Sequence, residues 1–306
     1  MSGRIAAIID NNYNSARRSR IGFFGFFESV DDQDVAGALF EAAAAYCREQ
    51  GMTAVYGPAN PSLSDEAGLL VDAFNLPPMI KMSYNPRYYA DLVAASGFTP
   101  VKDLHAYAID LTVDLPEKLH RVMAKLKQKR GLVIRPADLS RLPEELAVVK
   151  EVYNDAWSDN WDFAPMSEDE IDGLARQLRP LIKPELCPLV FYDGEPAGIS
   201  IGLPDYNQVL WRMNGRMLPF GWLKFLLHRN RITQGRLWAL GIKRKFRNLG
   251  YDALLYYESF MGGRRLGYTW GEVSWILEDN EAIIRPIRLL GGRRYKTYRI
   301  YQRPLD

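Results

Sequence analysis

Two cysteines, Cys47 and Cys187, and three histidines, His105, His120 and His228, are all that this chain of 306 residues contains of either type. Two distant thiols exclude a disulfide-stapled scaffold, and so few thiolate or imidazole ligands leave no metal site to expect. No apolar run reaches the roughly 18 residues that a membrane span needs. The opening Met-Ser-Gly-Arg-Ile-Ala-Ala has no cleavable signal pattern, so a cytoplasmic protein is expected. Charge of either sign is scarcely in excess: 39 basic against 37 acidic side chains leave a net +2. That balance by itself indicates neither a nucleic-acid binder nor an acidic tail. A Gly-x4-Gly-Lys-Ser/Thr loop is also missing, which sets nucleotide hydrolysis aside.

What is present is a globular composition, 47% apolar, with material for about two domains. The even charge hides an asymmetry. From Tyr206 to Gly250 there is no Asp or Glu, but ten Lys or Arg interleaved with Trp211, Phe220, Trp222, Phe225, Trp238 and Phe246. Something negative is expected to meet that surface, although nothing in it reads bases, so no nucleic-acid partner is expected. Within the block, 218–232 has an aromatic-aliphatic front and a basic rear. It suits an interfacial helix in peripheral membrane contact, a wall for a long acyl chain, or an amphipathic helix packed on its own domain.

Pattern along the chain alternates strand and helix, predicting a layered α/β (α+β) protein. Strands are expected at Ile5–Asp10 and Ile21–Glu28 around a polar, turn-rich stretch, then an Ala-rich helix capped by Asp32 or Asp34 and closed by Gly51. Residues 116–130 read as a basic linker helix, after which a similar order of elements restarts. Two units follow: a partial one over 1–115 and a complete one over 131–306. An uncovered edge strand near Ile5–Asp10 would favour a homodimer.

The most informative stretch is Leu240-Gly241-Ile242-Lys243-Arg244-Lys245-Phe246-Arg247-Asn248-Leu249-Gly250-Tyr251-Asp252. An apolar strand runs into a basic, glycine-containing turn that opens a helix. Such a turn builds an anion site, because the first helical N–H groups lack intrahelical partners and the helix dipole is positive there. The pattern Arg247-x-x-Gly250 in this strand–turn–helix context resembles the acyl-CoA turn of the GNAT (GCN5-related N-acetyltransferase) superfamily. The resemblance covers 131–306 well and 3–111 more loosely. It implies two GNAT-like domains in tandem, each a mixed, mostly antiparallel sheet flanked by helices, the N-terminal copy incomplete.

It further implies an acyl-CoA-dependent N-acyltransferase, moving an acetyl or longer acyl group from CoA to an amine. Acetyl-CoA or another acyl-CoA would be held by Leu240, Ile242, Arg247, Asn248, Leu249, Gly250, Tyr251, Asp252 and Asn280, with Lys243, Arg244 or Lys245 on the nucleotide phosphate. The acceptor would be a small-molecule or lipid amine. Departures are visible. Asp252 stands where the motif has a small residue, and Ile287 and Val93 stand where the family often has a Tyr acid. Asp32-Gln33-Asp34-Val35 puts acid in the first copy's turn, so that copy is not expected to bind CoA. The alternative is a catalytically silent acyl-CoA or lipid-surface binding protein.

Candidate catalytic groups are Glu278 and Asp279 at the end of the penultimate strand, Glu272 within it, and Tyr298 on the last strand. Glu278 and Asp279 equally suit a helix N-terminus, and Tyr298 suits a core. The loop Asn60–Glu66 collects polar side chains that could face a cleft between the halves or simply form turns.

Overall fold

Alternation of short apolar strands with amphipathic helices gives, in the computed structural model, one eleven-stranded sheet and a separate two-stranded ribbon; the structure describes residues 2–305, apart from the Glu168 side chain. The first half comprises β1 (Gly3–Ile8), α1 (Asn11–Arg17), β2 (Ile21–Ser29), α2 (Gln33–Glu49) and β3 (Ala54–Gly57). Three short strands follow, β4 (Ala59–Asn60), β5 (Glu66–Ala67) and β6 (Leu69–Leu70), then a long loop, α3 (Tyr89–Ala95) and β7 (Thr99–Asp110). Helix α1 occupies the stretch expected to be turns. Asp10 caps it by accepting from the Tyr13 N–H at 2.8 Å, and Tyr13 packs edge-on against Phe23. A seven-residue polar helix with one buried anchor has no periodicity to betray it. By contrast α2 follows its pattern, burying Ala36, Phe40, Ala43, Ala44 and Cys47 on one stripe.

The second half runs α4 (Glu117–Lys127), β8 (Leu132–Pro136), α5 (Leu142–Ala156), α6 (Glu168–Leu178), β9 (Pro188–Tyr192) and β10 (Glu195–Pro204). After α7 (Asn207–Met213) and α8 (Gly221–His228) come β11 (Gln234–Ile242), α9 (Tyr251–Arg265), β12 (Trp270–Leu277), α10 (Glu281–Leu289) and β13 (Arg293–Pro304).

Strand order is β1-β2-β3-β13-β7-β12-β11-β10-β9-β8, with β6 beside β13. The two halves therefore interlock: β13 lies between β3 and β7, and β7 lies between β13 and β12. Pairing crosses the expected boundary at 115, since Trp270 faces Asp110 and Leu277 faces Leu104. The segment expected as a linker is also tied down, with His120 hydrogen-bonded to the Tyr257 hydroxyl at 2.8 Å and Lys127 paired to Glu258 on α9. Strand β1 is an edge of the sheet. One face carries α4, α9 and α10 over a core that includes Tyr251, Leu254, Leu255 and Ile287. The opposite face carries α5 and α6, and beside them the loop that follows β6, with Met79 and Met82 packed on Leu104 and Ile300.

Candidate functional site

Strands β11 and β12 pair in parallel only from Gln234↔Trp270 to Leu237↔Val273. Beyond that point they diverge. On the β10 side, Trp238 is an extra residue between Leu237↔Gly202 and Ala239↔Ile201. On the β7 side, Ser274 and Trp275 interrupt the register between Val273 and Ile276. Bulges on both flanking ladders open a gap that leaves backbone groups of β11 without a strand partner on that edge. Trp157, Asn160, Tyr256, Asn280 and Ile283 close around this gap. Gly241 matters here: a Cβ on it would fall 2.2 Å from the Trp157 ring.

The gap continues into a groove of about 210 Å³ lined by Leu240, Gly241, Ile242, Arg247, Asn248, Asp252 and Asn280. At its end the chain turns into α9 through Asn248 (φ +62°) and Gly250 (φ +79°), both left-handed. The first helical acceptor, Gly250 O, is taken by the Leu254 N–H at 3.0 Å. The N–H groups of residues 251–253 therefore precede the helical ladder. Leu249, Gly250 and Tyr251 do not line the groove: Leu249 is exposed, and the Tyr251 side chain is buried against Tyr192 and Phe246. The Asn280 side chain accepts from the Ile283 N–H at 3.3 Å, capping α10 while it lines the groove.

The basic run is largely neutralised from within. Lys243, only 8% exposed, is held by Glu151 at 2.6 Å and Glu195 at 2.8 Å. Lys245 also pairs with Glu195, and Arg244 with Asp155. Arg247 meets Asp159 at 3.0 Å and Ala156 O at 2.8 Å. Glu151, Asp155 and Asp159 recur every four residues along α5 and just past it, which places them on one face. Of Lys243, Arg244 and Lys245, the three expected for a nucleotide phosphate, Lys243 is sealed between two carboxylates, whereas Arg244 and Lys245 are exposed and each paired with one; Arg247 is the basic side chain that lines the groove.

None of the four catalytic candidates lines the gap itself. Glu278 accepts from the Asp103 N–H at 3.2 Å, stitching the end of β12 to β7. Asp279 pairs with Lys102 at 2.6 Å, whose hydrogen bond holds its carboxyl below the usual range. Tyr298 is fully buried beside the Trp275 ring, and burial drives its hydroxyl far above the usual range. Ile287 is buried in the core, so no acid stands at that position.

Glu272 is different. It faces Arg236 across the last paired rungs, and both side chains are fully buried. Ser274 Oγ, on the gap wall, donates to Glu272 Oε1 at 2.5 Å, and Tyr295 Oη donates to Oε2. Arg236 donates to Ser274 Oγ at 2.8 Å and to the carbonyls of Ile80 and Lys81 at 3.0 and 2.7 Å. The signal for this network was a lone charge in each of two otherwise apolar strands.

Asp205 pins the same loop from another side, accepting from the Ile80 N–H at 3.0 Å. Burial raises its carboxyl from 3.8 to about 6. The folded state then holds this proton more tightly than the unfolded chain, so stability falls as pH rises from about 4 to about 6 and stays lower above it. Asp205→Asn keeps the acceptor and should lose that slope. Urea unfolding should show the variant equal to wild type near pH 4 and more stable near pH 7, by up to about 3 kcal/mol. Parallel curves for the two proteins would exclude Asp205 as the source.

A second cavity, of about 280 Å³, lies between the halves. The loop Pro61–Asp65 faces it with Asp10, Asp162 and Glu170. An apolar cavity between α5, α6 and the sheet shares Met166 and Leu174 with this acidic cleft, and Trp238 with the gap. Among the described residues, no group of His, Cys, Asp and Glu is arranged to hold a metal, and no helix is long and apolar enough to cross a membrane.

No protein-family model matches the chain. A Caulobacter vibrioides protein named bacterial ceramide synthase is 38% identical over 314 residues, covering 99% of this chain and 80% of that protein. The chain belongs to the family of the bacterial ceramide synthase. Protein YghO of Escherichia coli is 30% identical over 312 residues, covering 99% of this chain and 79% of its own length. Among solved structures, a GCN5-related N-acetyltransferase from Sphaerobacter thermophilus matches with a TM-score of 0.57 at 13% identity, over 99% of this chain and 77% of that one. The fold is therefore GNAT-like.

Proposed function

We propose that the protein transfers an acyl group from acyl-CoA to the amine of a long-chain amino alcohol, forming an N-acyl lipid of the ceramide type. The observation that carries this is the coincidence, in one chain, of an anion-ready turn and strand gap with similarity over 99% of its length to a protein named ceramide synthase. The pyrophosphate would lie at the Gly250 turn against Arg247, and the pantetheine arm along the unpaired edge of β11. The thioester would then reach the apex beside Trp238 and Ser274. There the neutral amine attacks the carbonyl carbon, the C–S bond breaks, and CoA leaves as thiolate. The amine's proton passes to the Ser274 hydroxyl as that hydroxyl gives its own proton to Glu272. The acidic cleft suits an ammonium-bearing head group, and the adjoining apolar cavity suits a chain.

We also read the halves as copies, β2-α2-β3-α3-β7 repeating β11-α9-β12-α10-β13. In the first copy Asp32 accepts from the N–H groups of Asp34 and Val35 at 2.9 and 3.2 Å. Its own carboxylate thus fills the place an anion would need, which supports CoA binding in the second copy alone.

Asp252 offers a check on the cofactor's position. Its charge favours the helix start but opposes a phosphate in the groove. Asp252→Ala should tighten CoA binding about three- to tenfold at low salt, with the gain shrinking as salt is added. Calorimetry finding no change would move the phosphates elsewhere. The function itself is tested by offering long-chain acyl-CoA with a panel of amines and analysing products by mass spectrometry. Amide is expected from sphingoid-type amino alcohols; amide from amino acids or amino sugars alone would overturn the acceptor assignment.

A further inference from the structure

We infer that the α7–α8 hairpin docks the protein on an anionic lipid bilayer, presenting the reacting end of the site to the membrane. Among the described residues, nine of the nineteen large apolar side chains that stand exposed fall within 210–227. Trp211, Leu218, Phe220 and Leu227 are 80%, 78%, 68% and 61% exposed. Monomeric proteins rarely display so dense an apolar patch without an occupant.

The hairpin is folded, not splayed out. Val209 and Met213 are buried beneath α7, and Phe225 of α8 stacks on Tyr206 with centroids 5.8 Å apart. The exposed row is therefore the outward side of an anchored element. Around it stand Arg212, Arg216, Lys224, Arg229 and Arg231, all exposed and in no ion pair among the described residues. No acidic residue occurs between 206 and 250. Aromatic and aliphatic tips ringed by guanidinium and ammonium groups without acidic partners match the interface of an anionic bilayer, where tips enter the acyl boundary and cations meet head groups.

Position gives the patch a purpose. The hairpin leaves β10 at Pro204 and rejoins β11 at Gln234, the paired end of β11. The Gly250 turn lies past the other end of that strand, roughly 26 Å away along β11 at about 3.3 Å per residue. Asn207 and Asp205, at the root of α7, hold the loop that covers Glu272 and Arg236. A water-soluble nucleotide would thus be bound at the end away from the bilayer, and a lipid amine would be met at the other. This orientation rests on the lipid-acceptor function proposed above, but the docking itself is measured without turnover.

The test is co-sedimentation of the full chain with phosphatidylcholine vesicles, with and without about 30 mol% phosphatidylglycerol. Binding is expected at least about tenfold stronger to the anionic vesicles and weakened by high salt. The combined variant Trp211→Ser, Leu218→Ser, Phe220→Ser should lose about tenfold or more while keeping its thermal midpoint, since these side chains are exposed. Arg216→Gln, Lys224→Gln, Arg229→Gln should lose the anionic preference. No binding by wild type, equal binding to both vesicle types, or an unchanged serine variant would overturn the inference. So would a wild-type dimer that the serine variant converts to monomer, because a second copy would then cover the patch. Vesicle binding as expected, with no amide from any amine, would uphold docking and reject only the acylation.

Discussion

Gly250→Glu should weaken CoA binding at least about a hundredfold while leaving the protein folded. The residue sits at φ +79°, where a side chain is strained at a cost of about 1–2 kcal/mol. Space is not the obstacle, for a Cβ there meets only Leu126 Cδ2, at an ordinary 3.5 Å. The loss comes from charge: a carboxylate at the start of α9 competes for the N–H groups that a pyrophosphate needs and repels it. Several charge-assisted hydrogen bonds at about 1.5–3 kcal/mol each are at stake, enough for the expected factor. Gly250→Ala carries the same backbone strain without the charge and should keep most of the affinity. Calorimetric titration of both variants, with thermal unfolding as the control, decides the matter. A glutamate variant that binds CoA within threefold of wild type would remove the phosphates from this turn.

Glu272→Gln should lower turnover about a hundredfold or more with CoA affinity nearly unchanged. The amide retains an acceptor for Ser274 but cannot take up a proton. It also leaves Arg236 buried without its counter-charge, and breaking a buried pair costs about 3–5 kcal/mol, so stability must be followed in parallel. Ser274→Ala avoids that complication. It keeps Glu272 and Arg236 as a charge pair at 3.7 Å and removes the hydroxyl on the gap wall together with the hydrogen bonds it makes to both. Its kcat should fall at least about tenfold with little change in KM for acyl-CoA. If both variants turn over at the wild-type rate while folded, the proton leaves by another route.

Much of the site was legible because its parts are local. The run Leu240–Asp252 announces strand, turn and helix in one stretch, and Gly250 is where the backbone needs a positive φ. Asn280 opens α10 as its position before Glu281 suggests. What depends on pairing between distant segments was not legible. Nothing local says that β13 inserts between β3 and β7, because strand order is fixed by which edges remain free once the halves meet. The basic residues after Ile242 show no partner in the sequence around them, because Glu151, Asp155 and Asp159 lie about 90 residues earlier in the chain and come into register only through α5. In sequence Glu278 and Asp279 are as available as Glu272; only the hydrogen bond from Ser274, on the gap wall, shows that Glu272 behind it is the carboxylate connected to the apex.

The most direct test of the central claim is to follow thiol release from a long-chain acyl-CoA, with and without a sphingoid-type amine, while quantifying the amide in the same reaction. Direct transfer predicts thiol release that depends on the amine, with one amide formed per thiol. Acyl-CoA that binds but releases no thiol in the presence of any amine would contradict it, leaving a binding protein on an acyltransferase fold.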